Sequence, residues 1–162
     1  MSNPDSLDLI EIRKILYATD FSRISAYGFR HALTLSRCFR AKLIIFHAIS
    51  IPPTIPADPT GGVALAECFD ELQEESRIRL EEMLGEARKH EVEAETLLVE
   101  GAPHRTVLEE AERLGVDLIV VGTHGRTGVE HLLLGSTAEK IIRHSPVPVL
   151  VVRHPETPSS ES

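Results

Sequence analysis

Cysteine is scarce in this chain. Two occur in 162 residues, Cys38 and Cys68, and their separation fits neither a metal-ligand spacing nor a redox pair. A disulfide framework and a zinc cluster are therefore excluded, and both thiols, on segments with helical periodicity, are expected to be reduced and partly buried. Long apolar runs are also missing. None approaches the roughly 20 residues needed to span a bilayer, and the opening Met1-Ser2-Asn3-Pro4-Asp5 has neither the basic nor the apolar region of a signal peptide. The expectation is a cytoplasmic protein without a membrane partner. Nor does any cluster of Lys and Arg oppose the formal charge of −8, which comes from 17 basic and 25 acidic residues. That balance argues against nucleic acid as a partner, because phosphate-backbone binding needs a basic face. Among the eight histidines there is no H-E-x-x-H pair. The chain also has no Gly-Lys-Ser/Thr of a P-loop, no G-x-G-x-x-G, no G-x-S-x-G and no cysteine-nucleophile motif.

What is present describes a small α/β domain. The hydrophobic fraction of 42% and charged fraction of 26% are ordinary for a globular protein, and a chain of this length buries roughly two-thirds of its unfolded surface as one domain. Apolar runs at Lys14 to Ala18, Leu43 to Ile49, Glu95 to Val99, Asp117 to Val121 and Pro148 to Val152 read as five strands. Between them, Ala26, Phe29 and Leu33, and then Leu65, Phe69, Leu72, Leu80 and Met83, recur at helical spacing. Gly115 after Leu114 is a C-terminal stop for the third helix. Strictly alternating strands and helices predict an open, doubly wound, five-stranded parallel sheet with helices on both faces, a Rossmann-like fold. Ligands in such folds bind beyond the carboxyl ends of the strands, where the strand order switches.

The fourth strand runs into Gly122-Thr-His-Gly125-Arg126-Thr-Gly128-Val-Glu-His-Leu-Leu-Leu-Gly135-Ser136-Thr137-Ala-Glu139. Glycines let backbone approach a ligand with no Cβ in the way. Ser136 and Glu139 have the spacing of a capping box, with Ser136 as N-cap. A helix starting there directs unpaired N–H groups and the positive end of its dipole toward the loop, which suits an anion. The alternative for any single glycine is a plain turn; four of them between a strand and a helix start weigh against it.

Gly122-x-x-Gly125, nine residues, then Gly135-Ser136 resembles the nucleotide-binding signature of the universal stress protein family. Lys14-Ile-Leu-Tyr-Ala-Thr-Asp20-Phe-Ser22 and Ser145-Pro-Val-Pro-Val-Leu-Val-Val152 resemble that family's first and last strands, so the similarity runs from about Lys14 to Arg153. The expected organisation is a tail over 1–12, the domain over 13–153 and a disordered tail over 154–162. The resemblance implies an adenine nucleotide, ATP or its ADP and AMP relatives, with Mg²⁺. It implies that Asp20, with Thr19 beside it, contacts adenine, that Ala18 and Ala48 flank the base, and that Val121 closes the slot. Gly122 then lies near the ribose, and Gly125, Gly135, Ser136 and Thr137 face the phosphates. Arg126 is a weaker phosphate contact, set against a solvated arginine. It further implies a homodimer through the last strand, Val147 to Val152, which is too apolar for a free sheet edge.

Other readings stay open at this level. Asp20 serves equally well as N-cap for the helix beginning near Ser22. The segment from Ile51 to Gly62, with four of the ten prolines and two of the ten glycines, fits a flap over the nucleotide and a plain spacer equally. His124 sits where a general acid or base could act, but no carboxylate partner is recognisable in the sequence. Leu132, Leu133 and Leu134 read as packing residues. The leading expectation is a regulatory nucleotide-binding module acting in stress response. The alternatives are slow hydrolysis of bound ATP and a dimeric interaction protein that uses no nucleotide. The regulatory protein partner and the stress are not written in these residues.

Overall fold

The computed structural model describes residues 9–50, 61–123 and 134–155, with the side chains of 61–65 left aside. Along the chain run β1 (Lys14–Ala18), α1 (Arg23–Phe39), β2 (Lys42–Ile49), α2 (Gly61–Lys89), β3 (Ala94–Glu100), α3 (Pro103–Leu114), β4 (Leu118–Gly122), α4 (Ser136–His144) and β5 (Val149–Val152). All five strands are parallel, in the order β3-β2-β1-β4-β5. The doubly wound α/β fold expected from the strand-helix alternation is therefore the observed one. Strand ends differ from the sequence reading by one residue or so. Gly61 and Gly62 belong to α2 rather than to the loop before it.

Alternation along each strand sends successive side chains to opposite faces, and both faces are covered. Ile15, Tyr17, Leu43, Ile45 and Val120 pack against Phe29, Ala32 and Leu33 of α1 and Leu80 and Ala87 of α2. Leu16, Ile44, Phe46, Ile119 and Val121 pack against Val107 and Ala111 of α3 and Ala138 and Ile141 of α4. Because β1 and β2 are buried on both sides, they are continuous apolar runs rather than alternating ones. The Asp117 carboxylate fastens the start of the sheet by accepting from the backbone N–H groups of Arg13 and Lys14 at 2.8 and 2.9 Å.

Three local expectations are corrected. The N-cap of α1 is Ser22, whose Oγ accepts from the Ser25 N–H at 3.1 Å. Asp20 instead accepts from the Ser22 N–H at 3.0 Å, an Asx turn that engages its carboxylate before the first turn of the helix is reached. At α4 the cap is Gly135, and Ser136 is already the first helical residue. No side chain caps that end; the Glu139 N–H bonds the Gly135 carbonyl at 2.9 Å, and the Glu139 carboxylate turns outward to Arg143, so the capping box does not form. Finally, Cys38 and Cys68 are free thiols but exposed rather than partly buried, since both stand on the solvent side of their helices.

Gly115 does end α3, in the left-handed region at φ 60°, where a Cβ would meet no atom within 4 Å. Gly101, at φ 144°, follows β3, and a Cβ there would lie 2.7 Å from Thr106 Cγ2. Backbone strain alone puts the cost of Gly115→Ala at about 1 kcal/mol. Gly101→Ala adds a clash to strain and is expected to cost clearly more than Gly115→Ala in urea-unfolding free energy.

Candidate functional site

Strand order switches at β1, which pairs with β2 on one side and β4 on the other. From β1 the chain moves outward through β2 to β3, then returns to β4 and continues to β5. The loops after β1 and β4 therefore diverge to opposite faces and open a crevice beyond the strand ends. A cleft of about 790 Å³ occupies that place. Of the residues singled out in the sequence, Ala18, Thr19, Asp20, Ala48, Val121, Gly122, Gly135, Ser136 and Thr137 all line it. They come from the ends of three strands and the start of a helix, and only the strand order brings them together. Gly125 and Arg126 lie outside the described residues. So do His124 and the segment 51–60 of the expected flap.

The floor of the cleft is fixed by hydrogen bonds that extend the β1–β2 ladder past its formal end. The Thr19 N–H donates to the Phe46 carbonyl at 2.9 Å, and His47 Nδ1 meets the Thr19 carbonyl at 2.7 Å. Thr19 Oγ1 accepts from the Phe21 N–H at 3.0 Å and from Ser25 Oγ at 2.8 Å. Beneath them the Tyr17 hydroxyl bonds both Ser25 Oγ, at 2.7 Å, and the Ser25 carbonyl. This buried chain of hydroxyls ties β1 to the first turn of α1 and so sets the position of the Thr19–Asp20 turn. On the other side the Gly135 N–H donates to the Thr123 carbonyl at 2.7 Å, which clamps the start of α4 to the end of β4. The first N–H groups of α4 are then presented to the cleft, and the helix itself takes none of them.

Phe21 stands at φ 61°, in the left-handed region that a bulky side chain rarely adopts. Its ring packs against His47, with centroids 4.3 Å apart, and carries the Arg79 guanidinium 5.3 Å from its centroid. Arg79 in turn pairs with Glu75 at 2.6 Å. Phe21, His47, Glu75 and Arg79 line the cleft together with Leu72 and Ser76. The sequence reading singled out none of them for the site, and Leu72 only for its helical spacing. Phe21 and His47 adjoin residues that it did identify, whereas α2 contributes at a distance that only the packing reveals.

Comparison with known proteins agrees with this fold. The model of the universal stress protein family matches residues 11–153. The chain belongs to the universal stress protein family. Universal stress protein MJ0531 of Methanocaldococcus jannaschii is 34% identical over 144 residues, which cover 89% of this chain and 84% of that protein. The solved structure of MJ0577, a universal stress protein of the same organism, superposes with a TM-score of 0.80 at 30% identity, covering 91% of this chain and all of that one. A universal stress protein crystallised in complex with cAMP superposes with a TM-score of 0.63 at 26% identity, covering 89% and 98% of the two chains. No helix among the described residues of this family member is long and apolar enough to cross a membrane.

The hydroxyl network under the cleft has a measurable signature. Burial holds Tyr17 in its neutral form and pushes its pKa up from 10.0 to about 12, against the opposing pull of its bonds to Ser25 and Thr19; nearby Asp20 adds to the rise. The unfolded chain gives up this proton near pH 10, the folded one only near 12. The stabilisation is therefore complete below pH 10 and is lost as pH climbs through that window, by an amount on the order of 3 kcal/mol. Tyr17→Phe is expected to be less stable by about 1 kcal/mol at neutral pH, yet to show a shallower decline between pH 10 and 12 in urea unfolding followed as a function of pH.

Proposed function

We propose that this universal stress protein is a regulatory module that binds an adenine nucleotide, ATP with Mg²⁺, in the cleft at the β1/β4 switch point. One observation carries the reading: four separated pieces of chain converge there with complementary chemistry. Ala18, Ala48 and Val121 offer small or flat apolar surface to a base. Asp20 brings a carboxylate able to accept from an exocyclic amine. Gly135, Ser136 and Thr137 offer the N-terminal end of α4 to phosphate. Gly122, at the end of β4, lies between these two groups in the chain and faces the ribose in this reading. Gly125 and Arg126, on the segment between Gly122 and Gly135, join the phosphate side. The cAMP complex of the related protein supports the same ligand class. Mg²⁺ would be held chiefly through phosphate oxygens, as is usual for this ion with nucleotides. Occupancy of the site would shift the population of surfaces offered to a protein partner, in keeping with a role in stress response.

The same reading includes a homodimer through β5. This strand is a sheet edge, and Val149, Leu150 and Val151 are only half-buried. The Pro148 carbonyl accepts from the Ile119 N–H and the Val152 carbonyl from the Thr123 N–H, both at 3.0 Å. Residues 148, 150 and 152 thus turn their backbone groups toward β4, and Val149 and Val151 turn theirs outward. The proline at 148 falls at the start of the ladder, on the side facing β4, so it leaves the outer edge free to pair with a second copy.

Two measurements test these assignments. Protein purified without added nucleotide, then denatured, is expected to release an adenine nucleotide identifiable by mass spectrometry, or else to bind Mg-ATP in a titration; neither outcome would reject the reading. Ser136→Glu places a negative charge at a helix start, where it favours the helix but repels phosphate. Its expected effect is at least a tenfold loss of ATP affinity with no fall in melting temperature. For the dimer, Val151→Pro removes an outward N–H and leaves the β4 ladder intact. Sedimentation is expected to report a dimer for the parent protein and a folded monomer for the variant, and a variant that remains dimeric would place the interface elsewhere.

A further inference from the structure

The cleft is lined by residues from both faces of the sheet, and the glycine signature accounts for only one side. Ala48 and Val121 belong to the core layer under α3 and α4, with Ala18 packed against it, and Gly135 to Thr137 close that side. His47, one residue from Ala48, points to the opposite face, where Phe21 packs with α1 and α2. The α2 side is walled by Phe21, His47, Glu75, Ser76 and Arg79.

We propose that this α2 side of the cleft is a subsite for an anionic oxygen group, phosphate or carboxylate, read by Arg79. Among the described residues, Arg79 is the only Arg or Lys that lines the cleft. Its guanidinium lies over the Phe21 ring, and Glu75 takes one edge of it at 2.6 Å. Stacking on a ring face orients the planar fork and leaves its other N–H groups in the plane, directed to the side. Phe21 is held in a conformation that costs energy, and its ring joins His47 to Arg79. Such strain persists where the surrounding structure enforces it, which is characteristic of ligand sites. In a chain of formal charge −8, with Asp20 and Glu75 also on the cleft wall, an anion entering here needs a local cation, and Arg79 supplies it.

This inference builds on the proposed nucleotide site but does not require it, because the anion has two sources: the phosphates of the nucleotide itself or a second small anion bound beside it. Wild-type protein, Arg79→Ala and Arg79→Lys are titrated with adenosine, AMP, ATP and inorganic phosphate by calorimetry. If the nucleotide supplies the anion, Arg79→Ala weakens AMP and ATP about tenfold or more and leaves adenosine unchanged, and Arg79→Lys retains much of the difference because the charge is kept. If a separate anion is bound, nucleotide affinities stay constant while saturable phosphate binding disappears in Arg79→Ala and persists in Arg79→Lys. Equal weakening of adenosine and AMP, or wild-type behaviour of Arg79→Ala toward every probe, overturns the role of Arg79. Absence of nucleotide binding by the wild type rejects the nucleotide reading alone, and the phosphate titration still decides the subsite.

Discussion

The central constraint in this protein is that β1 is hydrogen-bonded along both edges, to β2 in one direction and to β4 in the other. Crossovers between parallel strands are right-handed, so moving outward from β1 on either side delivers helices to opposite faces. The loops leaving the strands on either side of that point must part. The cleft is the space they leave, lined by whatever β1, β2 and β4 carry at their carboxyl ends and walled by α2, α3 and α4. Moving β4 to the far edge of the sheet would keep every helix and every strand and would abolish the site.

Polar contacts that continue the ladder past the formal strand ends hold the rim of this space in place. The Thr19 backbone bonds β2 on one side, and its hydroxyl joins the buried Ser25–Tyr17 chain on the other. Gly135, bonded to the Thr123 carbonyl, does the same for α4. Each bond is modest in net free energy, yet each sits where breaking it would leave a buried or half-buried polar group without compensation. The turn bearing Asp20 and the helix end bearing Ser136 are thereby positioned by rigid elements, the arrangement best able to orient a small ligand.

Much of the architecture was legible in the chain because apolar runs and helical spacings report local burial, and here every strand alternates with a helix. Gly115 as a helix stop was equally readable, since a left-handed residue favours glycine. Helix starts were harder. Asp20 and Ser22 are both good caps, and only the path of the chain out of β1 made Ser22 the one used. Ser136 and Glu139 have capping-box spacing, but the bond from Gly135 to Thr123 moved the helix start back by one residue and left Ser136 inside the helix. For the cleft itself, Asp20, Gly122 and Gly135 stood out in the sequence and all line it, whereas nothing in the amphipathic run from Glu75 to Arg79 distinguishes it from a solvated helix face.

The sequence by itself determined the alternation of strands and helices, the apolar layers on both sides of the sheet and the family signature around Gly122 and Gly135, because these follow from periodicity and from residue types with narrow conformational roles. Only the tertiary structure decided that Ala18, Ala48, Val121 and Ser136 share one cleft, that α2 lends Arg79 and Glu75 to its wall, and that Phe21 is held at a positive φ between His47 and Arg79. Those facts depend on which strands become neighbours and how far a helix reaches across the sheet. They are set by packing between segments far apart in the chain, which local preferences do not encode.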